Sequence, residues 1–232
     1  MEKVSIVIPV YNEQENIEIL INEIMNISVI DFISEIIIVN DHSSDNSINI
    51  ILKLQSIFNK IKLINHEHNC GQSKSIHTGI SHATTNTIIT LDGDLQNNPS
   101  DIQELMKIYF SDINIKLVSG IRIKRKDSLS KILSSKIANF IRSRYLSDNC
   151  KDTGCSLKVF DKDIFLSFPY FDGIHRFLPA LFNGYGYKTK YVTVNHRKRK
   201  FGVSKYDNLK RLYRGVADMV RVNKIIKNKK DI

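Results

Sequence analysis

The sequence has no tryptophan, four prolines, ten glycines and three cysteines in 232 residues. So little proline and glycine excludes collagen-like and Pro/Gly-rich classes. The cysteines, Cys70, Cys150 and Cys155, are too few and too scattered for a disulfide framework or a zinc ribbon, so a reduced, cytoplasmic setting is the expectation. No apolar run approaches the roughly 18–20 residues needed to span a bilayer. The opening stretch, MEKVSIVIPVYNE, has neither a basic leader region nor a small-residue cleavage site, and reads as a first strand. What is present is ordinary for a globular chain: 42% hydrophobic and 25% charged residues, a balance wrong for disorder.

The net charge of +10 is concentrated at one end. Residues 191–232 hold 13 Lys or Arg against 3 Asp or Glu, while the other 190 residues balance at 21 of each sign. Such a segment suits a polyanion (a membrane surface, nucleic acid or a phosphorylated substrate) against the plainer reading of a solubilising tail. No RNA-binding aromatic motif or helix-turn-helix pattern accompanies it, so a nucleic-acid-binding protein is the remote alternative.

Short β-branched runs alternate with helical spacing along the first half. Strands are expected at 4–10, 35–41, 62–67, 87–94 and 115–122. Helices are expected at about 15–27, 45–59 with Asp45 as cap, 71–83, and from Pro99 and Ser100 onward. This alternation predicts an α/β fold with a mostly parallel sheet and helices on both faces, where ligands sit beyond the carboxyl ends of the strands. Past residue 122 the pattern loosens. An amphipathic helix is expected over 128–147, strands at 156–160 and 188–197 flanking a helix near 175–183, and a last helix over about 207–224. No linker divides the chain into independent domains.

The polar residues gather at the strand ends: Asn12 and Glu13, Asp41, Asp92 and Asp94, and Arg122. Two carboxylates two residues apart, just past a buried strand, can converge on a hard cation such as Mg²⁺ or Mn²⁺. Alone, Asp92-Gly93-Asp94 is more often a surface turn. Asp41 and Glu13 add acid to the same rim, which a bound cation, hydrogen-bonding ligand groups or nearby basic side chains would offset. His66, His68, His77 and His82 are loosely spaced and lack a cysteine pair, so they are not read as a zinc site.

The stretches PVYNE (9–13), VNDHSSD (39–45), LDGDLQNNP (91–99) and RKFGVSKY (199–206), with DTGCSLKVF (152–160) and HRFLPAL (175–181), resemble the family 2 glycosyltransferases with a GT-A fold. The subgroup most similar is that of the dolichyl-phosphate mannosyltransferase-like enzymes, which move a sugar from a nucleotide diphosphate to a polyprenyl phosphate. The match runs from Val4 to Tyr206, which implies a GT-A domain over 1–206 followed by a basic amphipathic helix and tail over 207–232.

The resemblance implies roles. Pro9, Tyr11, Asn12 and Glu13 would line the nucleotide pocket, and Asp41 would contact base or ribose. Asp92 and Asp94 would face the donor diphosphate, and Asp92, Asp94 and Gln96 would hold Mg²⁺ or Mn²⁺, with Asp94 and Gln96 favoured as the direct ligands. Arg122, Arg199, Ser204 and Lys205 would meet phosphate, and His175 would lie near the acceptor. Two departures stand out. His42 replaces a usual glycine, and no pair of transmembrane helices follows Tyr206.

The implied chemistry is an inverting sugar transfer in which a nucleoside diphosphate leaves an oxocarbenium-like centre. The implied partners are a nucleotide-sugar donor (GDP-mannose or a UDP-sugar), a polyprenyl phosphate, and an anionic membrane surface or membrane protein at the cytoplasmic face. A phosphate acceptor is already ionised near neutral pH. A glycan hydroxyl, the alternative acceptor, needs a carboxylate base, for which Asp152 and Asp172 are the candidates.

Overall fold

The computed structural model describes residues 2–122, 142–201 and 208–229, with backbone alone for 208–214. Seven strands form one sheet: β1 (Val4–Val10), β2 (Ile33–Asn40), β3 (Ile61–Asn65), β4 (Thr87–Thr90), β5 (Ile115–Arg122), β6 (Lys158–Asp161) and β7 (Lys188–Val194). Their order is β3-β2-β1-β4-β6-β5-β7. The helices are α1 (Ile17–Met25), α2 (Ser47–Ile57), α3 (Gln72–His82), α4 (Ile102–Tyr109), α5 (Lys162–Ser167), α6 (Leu178–Gly184) and α7 (Asn208–Lys227).

The near-continuous apolar runs of β1 and β2 are what a sheet covered on both faces requires. Alternation sorts them. Ile6, Ile8, Ile36 and Ile38 pack on one face with Leu20 of α1, Ile51 of α2 and Leu105 of α4. Val7, Ile37 and Val39 pack on the other with Ile76 and Ile80 of α3, Phe165 of α5, Phe182 of α6 and Val222 of α7. Gly79 is required where α3 crosses the sheet, since a Cβ there would lie 2.5 Å from Val7 Cγ1.

The expected parallel sheet holds for β1 with β2 and β4, β2 with β3, and β5 with β7. The exception within this mostly parallel sheet is β6, which runs antiparallel to both β4 and β5. Strand β4 stops at Thr90, four residues short of its expected end, and the chain turns away beside β1. Helix α2 begins at Ser47 rather than at 45. Asp45 still serves its start, accepting the Ser47 amide through Oδ1 at 3.0 Å and the Gln14 amide through Oδ2 at 3.1 Å. Most of the helix expected over 128–147 lies outside the described residues, and 142–146 are helical.

Helix α7 packs on the domain. Val222 is fully buried, Gly184 leaves room for Ile226, and Arg176 donates to Asp218 at 2.8 Å. Among the described residues no helix is long and apolar enough to cross a membrane.

Candidate active site

Because β1 runs to Val10 while β4 ends at Thr90, a gap opens at the carboxyl ends of the central strands. A cavity of 340 Å³ fills it, lined by Pro9, Val10, Tyr11 and Glu13, by Asp41, by Asn69, Gly71, Gln72 and Ser75, by the 92–94 turn, and by Arg199. Gly93 lets the turn sit against β1, for a Cβ there would meet the Pro9 carbonyl oxygen at 3.3 Å.

Three non-glycine residues around this gap hold left-handed backbone: Asn12 at φ 54°, His42 at φ 60° and Leu95 at φ 62°. For a buried, bulky side chain such as Leu95 this is strained, and such strain persists where surrounding structure imposes it, often at functional sites. His42 takes the conformation that glycine adopts without cost, so the loop keeps its turn despite the substituted residue.

The acidic pair is set by contacts from distant parts of the chain. Asp94 accepts from Arg199 Nη2 through Oδ2 at 2.7 Å and from the Gln96 amide through Oδ1 at 3.1 Å. Arg199 also lies 3.9 Å from Glu13 Oε1. Asp92 Oδ1 accepts from Gln72 Nε2 at 2.8 Å. Burial and the neighbouring Asp94 carboxylate push Asp92 up to about 6, against the opposing pull of Ser156, Lys158 and Arg122. Burial works against the charge on Arg199, but the hydrogen bond and field of Asp94, with Glu13 behind, raise its pKa overall.

Asp41 ties two loops together. Its Oδ1 accepts the Cys70 amide at 2.8 Å and lies 2.8 Å from His66 Nδ1, and its Oδ2 accepts the Gly71 amide at 2.8 Å. Asn12 does not line the cavity. It clamps the ends of β1 and β2, donating its amide to Ser43 Oγ at 2.9 Å and accepting from the Ser44 amide at 2.7 Å.

Of the residues read from sequence, the structure gathers Pro9, Tyr11, Glu13, Asp41, Asp92, Asp94 and Arg199 around one cavity. Gln96 and Arg122 stand outside its lining. The Gln96 side chain meets the Arg197 carbonyl at 3.4 Å. Arg122 is held by Asp152, to which Nε and Nη2 each donate at 2.7 Å, and Gly154 leaves room for this guanidinium. His175 Nδ1 lies 2.8 Å from Ser73 Oγ, one residue along α3 from the cavity-lining Gln72. Ser204 and Lys205 fall outside the described residues. Sequence reading missed Asn69, Gly71, Gln72 and Ser75. The one signal for them was Gly71, which adopts φ 86° at the entry to α3.

The lining holds four carboxylates, Glu13, Asp41, Asp92 and Asp94, and among the described residues one guanidinium. A diphosphate would be repelled from such a surface unless a cation accompanied it. The oxygen-only donors of the 92–94 turn and the upward push on Asp92 fit a hard divalent ion.

Comparison with known proteins agrees with this geometry. The "Glycosyl transferase family 2" profile matches residues 5–167. An "Undecaprenyl-phosphate 4-deoxy-4-formamido-L-arabinose transferase" of Sodalis glossinidius is 34% identical over 212 residues, covering 90% of this chain and 64% of that protein. The Yersinia pestis (strain Pestoides F) protein of the same name is 34% identical over 222 residues, covering 95% of this chain and 67% of its own length. The chain thus spans about two thirds of the length of these relatives. Among solved structures, glucosyl-3-phosphoglycerate synthase from Mycobacterium tuberculosis, in complex with Mn²⁺, uridine diphosphate and glucosyl-3-phosphoglycerate, superimposes with a TM-score of 0.71 at 14% identity, over 99% of this chain and 81% of that one. Mannosyl-3-phosphoglycerate synthase from Rubrobacter xylanophilus gives a TM-score of 0.72 at 14% identity, over 99% and 76%. At that identity the likeness is one of fold.

Proposed function

The chain belongs to glycosyl transferase family 2 and has its GT-A fold, and from that premise we propose that it transfers a sugar from a nucleotide diphosphate donor to a polyprenyl phosphate, with inversion at the anomeric carbon. The observation that carries this reading is the cavity at the ends of β1, β2 and β4, where Asp92 and Asp94 face Arg199. The names of the 34%-identical relatives supply the acceptor class and a candidate sugar.

In this reading Pro9, Tyr11 and Asp41 receive the nucleoside half of the donor. Asp92 and Asp94, with Gln96 beside them, would hold Mg²⁺ or Mn²⁺, which when bound would neutralise charge on the leaving diphosphate. Gln72 fixes the orientation of Asp92. Arg199 leaves its contact with Asp94 to meet phosphate oxygens, joined by Ser204 and Lys205 of the same motif. Arg122, oriented by Asp152, places positive charge behind Asp92. The acceptor phosphate oxygen attacks the anomeric carbon from the face opposite the diphosphate, and no base is needed to ionise it.

Asp152 favours this acceptor over a glycan hydroxyl. Both of its carboxylate oxygens accept from Arg122, so it is poorly placed to take a proton from a substrate.

A lipid acceptor brings the reaction to the cytoplasmic face of a membrane. The outer side of α7 suits that surface, with exposed Val216 and Val220 beside Arg221, Lys224 and Lys227. A groove of 640 Å³ at Pro169, Tyr185 and Val220, rimmed by Arg221, Lys224 and Lys229, runs along the same helix. Apolar residues among cations complement an anionic lipid surface.

The test is a transfer assay with Mn²⁺ or Mg²⁺ and a short polyprenyl phosphate. Labelled GDP-mannose, UDP-glucose, UDP-N-acetylglucosamine and a nucleotide-linked 4-deoxy-4-formamido-L-arabinose are offered in parallel. A lipid-extractable product from one donor is the expected result. Donor hydrolysis that stops on chelation, without lipid product, would move the acceptor to a hydroxyl.

A further inference from the structure

The histidines of residues 66–82 lack the spacing of a metal set on their own, but the fold brings other donors to one of them. Asp41 projects from the end of β2 toward the loop after β3. There one ligand atom each from Asp41, His66 and Cys70 lie within 4.8 Å of one another. None of the three is adjacent in sequence, and none belongs to the 92–94 turn.

The donor set is mixed: a carboxylate oxygen, an imidazole nitrogen and a thiol sulfur. Mg²⁺ and Ca²⁺ take oxygen ligands, whereas Zn²⁺ accepts all three donor types at about 2.0–2.3 Å. These donors therefore select a different ion from the oxygen-only turn at Asp92 and Asp94.

Two ligands are already oriented by outer contacts of the sort that accompany metal sites. The Gly71 amide fixes Asp41 through Oδ2 at 2.8 Å, and His66 Nε2 lies 3.1 Å from Thr78 Oγ1. The Cys70 thiol is partly exposed and donates to the His68 carbonyl at 3.4 Å, a weak S–H bond that a metal ion can displace. Asp41, Asn69 and Gly71 all line the large cavity, so the cluster opens onto it.

We propose that Asp41, His66 and Cys70 form a second cation site for a borderline divalent ion of the zinc class. Binding displaces the thiol proton of Cys70, and any proton on His66 Nδ1, to solvent. No electron moves. The ion engages Asp41 and so competes with whatever that carboxylate recognises in the cavity. The site is thus inhibitory toward nucleotide binding. The cation site itself rests on the local geometry, and its inhibitory role rests on the proposed nucleotide-binding function of Asp41.

The test is a Co²⁺ titration of the full chain in excess Mg²⁺, followed by the thiolate-to-cobalt charge-transfer absorption and the tetrahedral d–d bands. The expected result is a saturable thiolate band at one equivalent, displaced by Zn²⁺. It should be abolished in Cys70→Ser, weakened at least tenfold in His66→Gln, and retained in Asp94→Asn and in Cys150→Ser. The partly exposed position of Cys70 makes Cys70→Ser a mild change, and its melting temperature checks that it folds. The absence of a thiolate band in the wild type, or a band that survives Cys70→Ser, would overturn the site. One equivalent of Zn²⁺ should weaken nucleotide binding at least tenfold in the wild type and leave Cys70→Ser unchanged. Equal weakening in both would overturn the competitive role.

Discussion

Arg199 and Asp94, 105 residues apart in sequence, meet at 2.7 Å through Nη2 and Oδ2. The guanidinium therefore rests on the carboxylate assigned to the metal. Asp94→Asn should lower kcat/KM for sugar transfer by about 10²–10³, the scale of losing one electrostatic contact to a developing charge. Arg199→Ala should cost about 10², and Arg199→Lys should recover only part of it, since an ammonium lacks the planar fork. Steady-state kinetics with the preferred donor checks all three.

Asp152 and Asp172 separate the two acceptor classes. Asp172 is exposed, so Asp172→Asn should leave transfer to polyprenyl phosphate within about twofold. Asp152 is buried and bidentate on Arg122, so Asp152→Asn should destabilise the fold by about 3 kcal/mol by stranding a buried charge. Scanning calorimetry should show a melting temperature lower by roughly 10 °C.

Glu35 supplies a pH dependence. Burial pushes its carboxyl up, but Lys62 at 2.5 Å, the Thr84 amide and the hydroxyls of Ser5 and Thr84 outweigh this and hold it at about 2, below the ordinary 4.5. A folded value below the unfolded one gives stability that is fully present above about 4.5 and is lost as pH falls toward 2. Lys62 is half-exposed and screened, so the contribution near neutral pH is about 2 kcal/mol. Urea denaturation of Glu35→Gln should show that loss at neutral pH, and the gap to wild type should narrow steadily below about 4.5.

Gly79 gives a packing prediction. A methyl group there meets Val7 Cγ1 at 2.5 Å and Val39 Cγ2 at 3.1 Å, in a sheet face with both residues fully buried. Gly79→Ala should therefore destabilise by about 1–3 kcal/mol despite the better helix propensity of alanine. Chemical denaturation measures it.

Membrane attachment through α7 is tested by cosedimentation with vesicles. Replacing Arg221, Lys224 and Lys227 with alanine should weaken partitioning onto anionic vesicles by about 100-fold, at roughly 1 kcal/mol per residue. Neutral vesicles should show little difference between the two proteins.

The alternating elements of the first half were legible because β1, β2 and β4 are apolar runs buried on both faces and α1, α2 and α4 keep an apolar stripe. The reversed direction of β6 was not legible. Nothing in SLKVF marks β6 as antiparallel, since direction depends on which edge remains open when the chain returns. Helix α5 was also missed, being only six residues long, although Asp161 caps it by accepting the Ile164 amide at 3.1 Å. At the site, the strand-end carboxylates could be found because charge after an apolar run is conspicuous. Asn69, Gln72 and Ser75 are ordinary polar residues, brought to the rim by the Asp41 carboxylate, the Gly71 turn and the Gln72–Asp92 hydrogen bond.

The antiparallel β6 also imposes an order on synthesis. Strand β5 is made long before either of its neighbours, β6 and β7, and β4 keeps one open edge until Lys158–Asp161 has emerged. A nascent chain stopped short of Lys158 therefore displays the outer edge of Thr87–Thr90 and both edges of Ile115–Arg122. Unpaired edges of that kind recruit strands from other chains. A protein cut back to its first half would keep all four of the cavity's carboxylates yet leave these edges open to strands from other chains.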